Sequence, residues 1–193
     1  MKIIAVPKTV PRLAPLEPPY EPDVGETLAA MMPPGVPPLG LFRTLAHNPR
    51  VLEKVRAGNL LDRGSLDRRD REIAILRTCA RCASEYEWGV HVSVFADRVG
   101  ISEEKVAGTV AWSAGDARWE GRERAIVELV DQLHETAQVD DVLWSQLEVS
   151  FESDQIVELI VLIGFYHTIS FVTNGLGVER EPAAARFPAS GTA

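Results

Sequence analysis

The stretch Arg71-Glu-Ile-Ala-Ile-Leu-Arg-Thr-Cys-Ala-Arg-Cys-Ala-Ser-Glu-Tyr-Glu-Trp-Gly-Val-His91 reads as two helices and the turn between them. Glu72, Ile75, Leu76, Cys79 and Ala83 repeat at the 3.6-residue period of one helix face. Ser65 or Asp67 stands where that helix needs a cap. Ser84-Glu-Tyr-Glu87 then has the form of a capping box, in which the Ser84 hydroxyl accepts from the Glu87 amide and the Glu87 carboxylate from that of Ser84. The chain is therefore expected to turn at Ala83–Ser84 and to continue as a second helix to about Gly100.

Outward from this hairpin the pattern stays helical. It runs from Leu39 with breaks at Asn48-Pro49 and at Asp62-Arg-Gly-Ser65. Helices are expected from Ser102 to about Val110, Trp119 to Thr136, Asp140 to about Val149, and Ser153 to Asn174, the last ended by Asn174-Gly175. The run from Ile156 to Val172 is almost wholly apolar, broken by Glu158 and His167; it is short for a membrane span and reads as a helix buried on all sides. No strand pattern competes, so the fold class is all-α. A chain this small covers such a helix poorly by itself, which predicts a homo-oligomer.

Ten of the 13 prolines fall within residues 1–38. Proline fixes φ and removes a donor, so this segment reads as an extended arm with one short helix near Asp23–Met31. Leu13, Leu16, Tyr20, Met31 and Met32 give the arm an apolar side for docking on the body or on a neighbouring subunit. The expected divisions are the arm at 1–38, one helical domain at 39–178, and a C-terminal tail at 179–193.

With 46% hydrophobic and 25% charged residues over 193 positions, the composition is that of one globular domain. A formal charge of -8 argues against a nucleic-acid partner, whose phosphates call for a basic face. MKIIAVP lacks the apolar length of a secretory signal, and the expectation is a cytoplasmic protein with no membrane partner. Two cysteines in a reducing compartment suit catalysis or half a metal site better than a staple. No second Cys or His cluster in the sequence completes such a metal site.

The hairpin also groups polar residues. At about 100° per residue, Ser84, Glu87 and His91 share one stripe of the second helix, with Trp88 and Phe95 on its flanks. A carboxylate beside an imidazole favours the protonated ring while an apolar wall opposes it, a balance suited to a general acid or base. Ser84, at the helix start, could hold an anionic substrate group. Glu72 lies on an otherwise apolar stripe and needs a partner. An antiparallel hairpin would bring it level with His91. The same residues are also consistent with a plain capping box, a surface i,i+4 pair and a core carboxylate bound to arginine. Cys79 and Cys82 fall near the C-terminal end of their helix, where the dipole disfavours thiolate, although Arg77 and Arg81 are close. Trp112 and Trp119 flank a Ser-Ala-Gly-Asp loop that could form a rim; His47 and His134 read as surface residues.

The run Arg71-Glu72-Ile-Ala-Ile-Leu76 followed by Ser84-Glu-Tyr-Glu-Trp88 and His91 resembles the carboxymuconolactone decarboxylase family, which includes the alkylhydroperoxidase D-like proteins. The likeness is clearest from Leu66 to about Val110 and continues more weakly through Gly164–Ser170 to Asn174. It implies an all-helical bundle of the alkylhydroperoxidase D type, assembled as a trimer or hexamer. In the peroxidase branch a CxxC dithiol precedes the histidine, with a glutamate upstream in a proton relay. By spacing that glutamate matches Glu72, the histidine matches His91, and the dithiol positions match Ser84 and Glu87, neither of which is cysteine. Cys79-x-x-Cys82 comes five residues too early, about 140° of helix rotation away.

The decarboxylase branch uses acid and base groups without a metal or organic cofactor. By that likeness His91 would be the main acid or base, tuned by Glu87 or Glu72, on a small carboxylated or lactone-type substrate. Ser84, Tyr86 and Trp88, with Tyr166 and His167 from the apolar helix, complete the expected substrate-binding set, although a histidine in such a helix is often a hydrogen-bonded core residue. Two other readings remain open: a thiol peroxidase or disulfide reductase using Cys79 and Cys82, and an oligomeric binding protein without catalysis.

Overall fold

The computed structural model describes residues 11–111 and 116–189. The elements are α1 (Pro22–Ala30), α2 (Gly40–Leu45), α3 (Pro49–Ala57), α4 (Arg68–Arg81), α5 (Glu85–His91), α6 (Glu103–Ala111), α7 (Gly121–Thr136), α8 (Asp141–Ser150) and α9 (Ser153–Leu176). A single π turn over Val92–Ala96 and a 3-10 turn over Asp97–Val99 carry α5 on to Gly100. All described regular structure is helical, as the apolar periods require. Trp112 lies outside the described residues; Trp119 is fully buried in the core.

The hairpin forms, with α4 at the centre of the fold. It packs against α5, α6, α7 and α9, and every residue from Asp70 to Cys79 is buried. A polar helix can hold that place because its polar groups are partnered. Arg77 donates to Asp131 on α7 and to the Thr109 carbonyl, Asp70 accepts from Arg122, and Thr78 bonds back to the Ala74 carbonyl. Helix α4 ends with Ala83 in the left-handed region, φ 52°, and the Ser84 amide reaching back to the Cys79 carbonyl at 2.8 Å.

Within one chain α9 is covered on one side only. Leu159, Leu162, Ile163, Tyr166 and Ile169 face the core, but Val157, Val161 and Phe171 are 62%, 54% and 68% exposed. Among the described helices it is the one long and apolar enough to cross a membrane by length and composition. It runs past Asn174-Gly175 and stops at Gly177, φ 62°, with the Val178 amide on the Thr173 carbonyl. The Asn174-Gly175 pair is simply carried within the helix.

The described part of the arm docks on its own chain. The Arg12 amide donates to the Leu176 carbonyl and that of Leu16 to Arg43, while Val24 and Leu28 of α1 enter a core shared with α2, α3 and Tyr86. At the other end, residues 179–189 lie over α5. Glu181 accepts from the Tyr86 hydroxyl and the Gly40 amide, Phe187 packs on Trp88, and the Ala185 amide meets the Gly89 carbonyl. A Cβ on Gly89 would stand 2.3 Å from the Ala185 carbonyl oxygen, so the close approach of this tail needs glycine there.

Candidate active site

Helices α4, α5 and α9 bring Glu72, His91 and Tyr166 together inside the fold. Glu72 Oε2 is 2.7 Å from His91 Nδ1, and Tyr166 Oη is 3.1 Å from His91 Nε2. Glu87 Oε1 lies 3.5 Å from the same Nε2, one helical turn before it. The imidazole meets the Tyr166 ring edge-on, and the π turn after His91 sets Phe95 against its face at 5.1 Å. Glu72 and His91 are 1% and 2% exposed.

Burial pulls the His91 pKa down, but the Glu72 carboxylate, through charge and hydrogen bond, and then Glu87 overcome it and push it up to about 9. The ring is thus held as imidazolium at neutral pH. Burial raises Tyr166 well above the usual phenol range, reinforced by Glu87 and Glu72, so it remains a phenol. The second oxygen of Glu72, Oε1, has no hydrogen-bond partner, and neither has Arg71 Nε. These two atoms are 3.7 Å apart, close enough to attract and too long to bond.

A cavity of about 980 Å³ runs along this side of α4, and Glu72, Arg71 and Phe95 contribute to its lining. Its remaining charged wall includes Arg63, Arg68, Arg69 and Arg98, against the carboxylates of Asp62 and Asp67. Arg69 is anchored by Glu123 and Arg71 by the Leu61 and Asp62 carbonyls. In a chain of net charge -8 this is a locally positive cavity, suited to an anionic small molecule.

Sequence reasoning placed Glu72, Glu87, His91 and Tyr166 in one site, and they are neighbours here. His91, however, does not line the cavity; it stands behind Glu72. The other expected substrate contacts are elsewhere. The Ser84 hydroxyl is buried against the Thr173 hydroxyl at 2.9 Å, and no capping box forms because Glu87 is turned toward His91. Tyr86 is sunk into the core of the arm and bonded to Glu181 and the Leu41 amide. Trp88 does not wall the imidazole: its Nε1 donates to Thr109 and its ring meets Phe187. His167 turns toward α7, where it meets His134, which is therefore not the plain surface residue expected. His47 is exposed, with Nε2 near the Ala14 carbonyl of the arm.

The arginine wall was missed, although Asp62-Arg-Gly-Ser-Leu-Asp-Arg-Arg-Asp-Arg71 carries the signal as a local density of arginine. Both cysteines are free thiols. Burial raises Cys79 well above the ordinary thiol range, with Glu87 adding to it, and burial also raises Cys82 against the opposing Arg81 charge.

Residues 47–132, which include Glu72, Ser84, Glu87 and His91, match the model of the carboxymuconolactone decarboxylase family. No curated protein matches the chain in sequence. Among solved structures, the debrominase Bmp8 is similar at a TM-score of 0.69 and 16% identity, over 89% of this chain and 92% of that one. The alkylhydroperoxidase AhpD core of an uncharacterised peroxidase-related protein from Ralstonia eutropha is similar at 0.72 and 18%, over 88% and 93%. A peroxidase-related protein from Silicibacter is similar at 0.72 and 14%, over 89% and 92%. At these identities the structural likeness speaks for a common helical fold. The matched segment holds the Glu72–His91 pair and resembles the carboxymuconolactone decarboxylase family, and over nearly nine-tenths of its length the chain shares the helical fold of these neighbours.

Proposed function

We propose that the chain is an acid–base enzyme acting on a small carboxylated or lactone-type molecule, with Glu72 as the group that meets substrate and His91 as the protonated partner behind it. The observation that carries this is Glu72 in the lining of an arginine-rich cavity, with Oε2 held by His91 while Oε1 makes no hydrogen bond and has only the Arg71 charge 3.7 Å away. A proton leaving or entering the substrate would pass through Oε1. The imidazolium on Oε2 keeps the carboxyl group oriented, and its charge offsets the negative charge of the carboxylate before transfer. Arg71, which lines the same cavity and whose Nε makes no hydrogen bond, would bind substrate oxygen and steady charge developing there. Tyr166 and Glu87 hold the far side of the ring.

Decarboxylation or a related lyase or isomerase step fits this arrangement, since each needs one positioned acid–base group and a counter-charge for a carboxylate. The test is a panel of small lactones and carboxylates screened for binding and turnover with wild type and Glu72→Gln. Loss of roughly 100- to 10,000-fold in turnover with binding retained is the expected result. Turnover that survives Glu72→Gln would overturn the reading. A homo-oligomer belongs to the same proposal: the exposed Val157, Val161 and Phe171 side of α9 is apolar enough to be covered by a second copy, which sedimentation of the purified chain would measure.

A further inference from the structure

We propose that Cys82, His134 and His167 form a binding site for one divalent transition-metal ion of the zinc type, separate from the Glu72–His91 pair. The three come from the C-terminus of α4, the last turn of α7 and the middle of α9. Their ligand atoms all lie within 4.8 Å of one another. Cys82 Sγ is 3.9 Å from His134 Nδ1, which is 2.9 Å from His167 Nε2. Tetrahedral zinc, with bonds of about 2.3 Å to sulfur and about 2.0–2.1 Å to nitrogen, sets its ligands roughly 3.3–3.6 Å apart. Two edges need shifts of a few tenths of an ångström, and the third, Cys82 Sγ to His167 Nε2, which is bounded at 4.8 Å, needs a closure of up to about 1 Å to admit the ion.

The histidines are prepared for it. His167 Nδ1 lies 2.8 Å from the Ile163 carbonyl one turn back, so its proton belongs there and Nε2 is left with a bare lone pair aimed at His134. This is the outer hydrogen bond that orients metal-bound imidazoles. Coordination would move the His134 proton from Nδ1 to Nε2 and release the Cys82 thiol proton to solvent. All three residues are half-buried, which leaves a path for the ion, and a water from solvent would be its fourth ligand. The C-terminal ends of α4 and α7 converge on the site, and their partial negative charge favours a cation. Arg81 is the opposing charge nearby, and it is engaged by Asp131 and Glu135. One thiol-bearing and two imidazole-bearing helices would thus be tied at one point.

Cobalt(II) is the direct probe, added alone to the reduced full-length protein. One equivalent per chain should bind with a thiolate-to-cobalt charge-transfer band and the visible spectrum of a tetrahedral ion. Cys82→Ser should abolish the charge-transfer band, whereas Cys79→Ser should keep it. His134→Gln and His167→Gln should each weaken binding by more than the roughly 10- to 100-fold that loss of an outer hydrogen bond costs. No charge-transfer band in the wild type, a band that survives Cys82→Ser, or an affinity unmoved by either histidine variant would overturn the proposal. The wild-type titration decides independently of whether any variant folds.

Discussion

Glu72 and His91 are 19 residues apart in sequence, and Glu72 Oε2 lies 2.7 Å from His91 Nδ1 with both side chains buried. A buried pair of this kind is costly to break from one side. Removing the imidazole leaves a carboxylate in the core without its partner, a loss of roughly 3–5 kcal/mol. His91→Leu should therefore destabilise the protein strongly. The double variant Glu72→Met, His91→Leu should recover much of the loss, since it removes both charges. Denaturant unfolding of these two variants and of Glu72→Met alone measures the coupling, and simple additivity would show that the two residues do not act as a pair.

The same pair sets a pH dependence. His91 has its pKa raised in the fold to about 9, above the roughly 6.5 of an unfolded chain. Its stabilising contribution is complete below about pH 6.5 and is lost as pH rises through about 9. Unfolding free energy should fall over that window in wild type, and the fall should be absent in the double variant. A wild-type profile that stays flat between these limits would show that Glu72 does not hold the proton on His91.

At Ala83 the backbone is left-handed, φ 52°, where a Cβ is strained and glycine is not. Ala83→Gly should stabilise the turn between α4 and α5 by up to about 1 kcal/mol. The change in denaturation midpoint reads it, and a clear loss of stability would mean that the turn differs from the one described.

Gly89 sends the opposite prediction to the tail. A methyl group there would collide with the Ala185 carbonyl, which cannot turn aside as a side chain can. Gly89→Ala should cost about 1–3 kcal/mol and loosen the segment around Ala185. Faster proteolysis near residue 185 in the variant would register the release, and an unchanged digestion pattern would count against tight docking of the tail.

For the thiols the expectation is inertness at neutral pH. Cys79 is buried, and burial raises both pKa values. Peroxide should leave the thiol titre of metal-free protein nearly unchanged on the minutes scale. Rapid loss of both thiols, restored by a reductant, would support a working dithiol instead.

The hairpin was legible because its apolar period is unbroken and its turn is short; the Glu72–His91 contact followed from that geometry. The roles of α4 and α9 were not. By composition α9 is the more hidden helix, yet Arg77, Asp70 and Thr78 bury α4 by finding partners on distant elements, which no local pattern records. Ser84 and Glu87 had the spacing of a capping box, but Thr173 and His91 compete for their side chains and win. Cys82, His134 and His167 are separated by 52 and 33 residues, so no spacing rule could join them. Their meeting is a product of the packing of three helices.

The most direct measurement is an NMR titration of the His91 imidazole nitrogens in wild type and in Glu72→Gln. The account predicts a wild-type ring that stays protonated up to about pH 9. In Glu72→Gln its pKa should drop markedly, since the charge that opposed burial is gone. A wild-type His91 that titrates at or below the ordinary histidine value, or one indifferent to Glu72→Gln, would contradict the pairing on which the proposed chemistry rests.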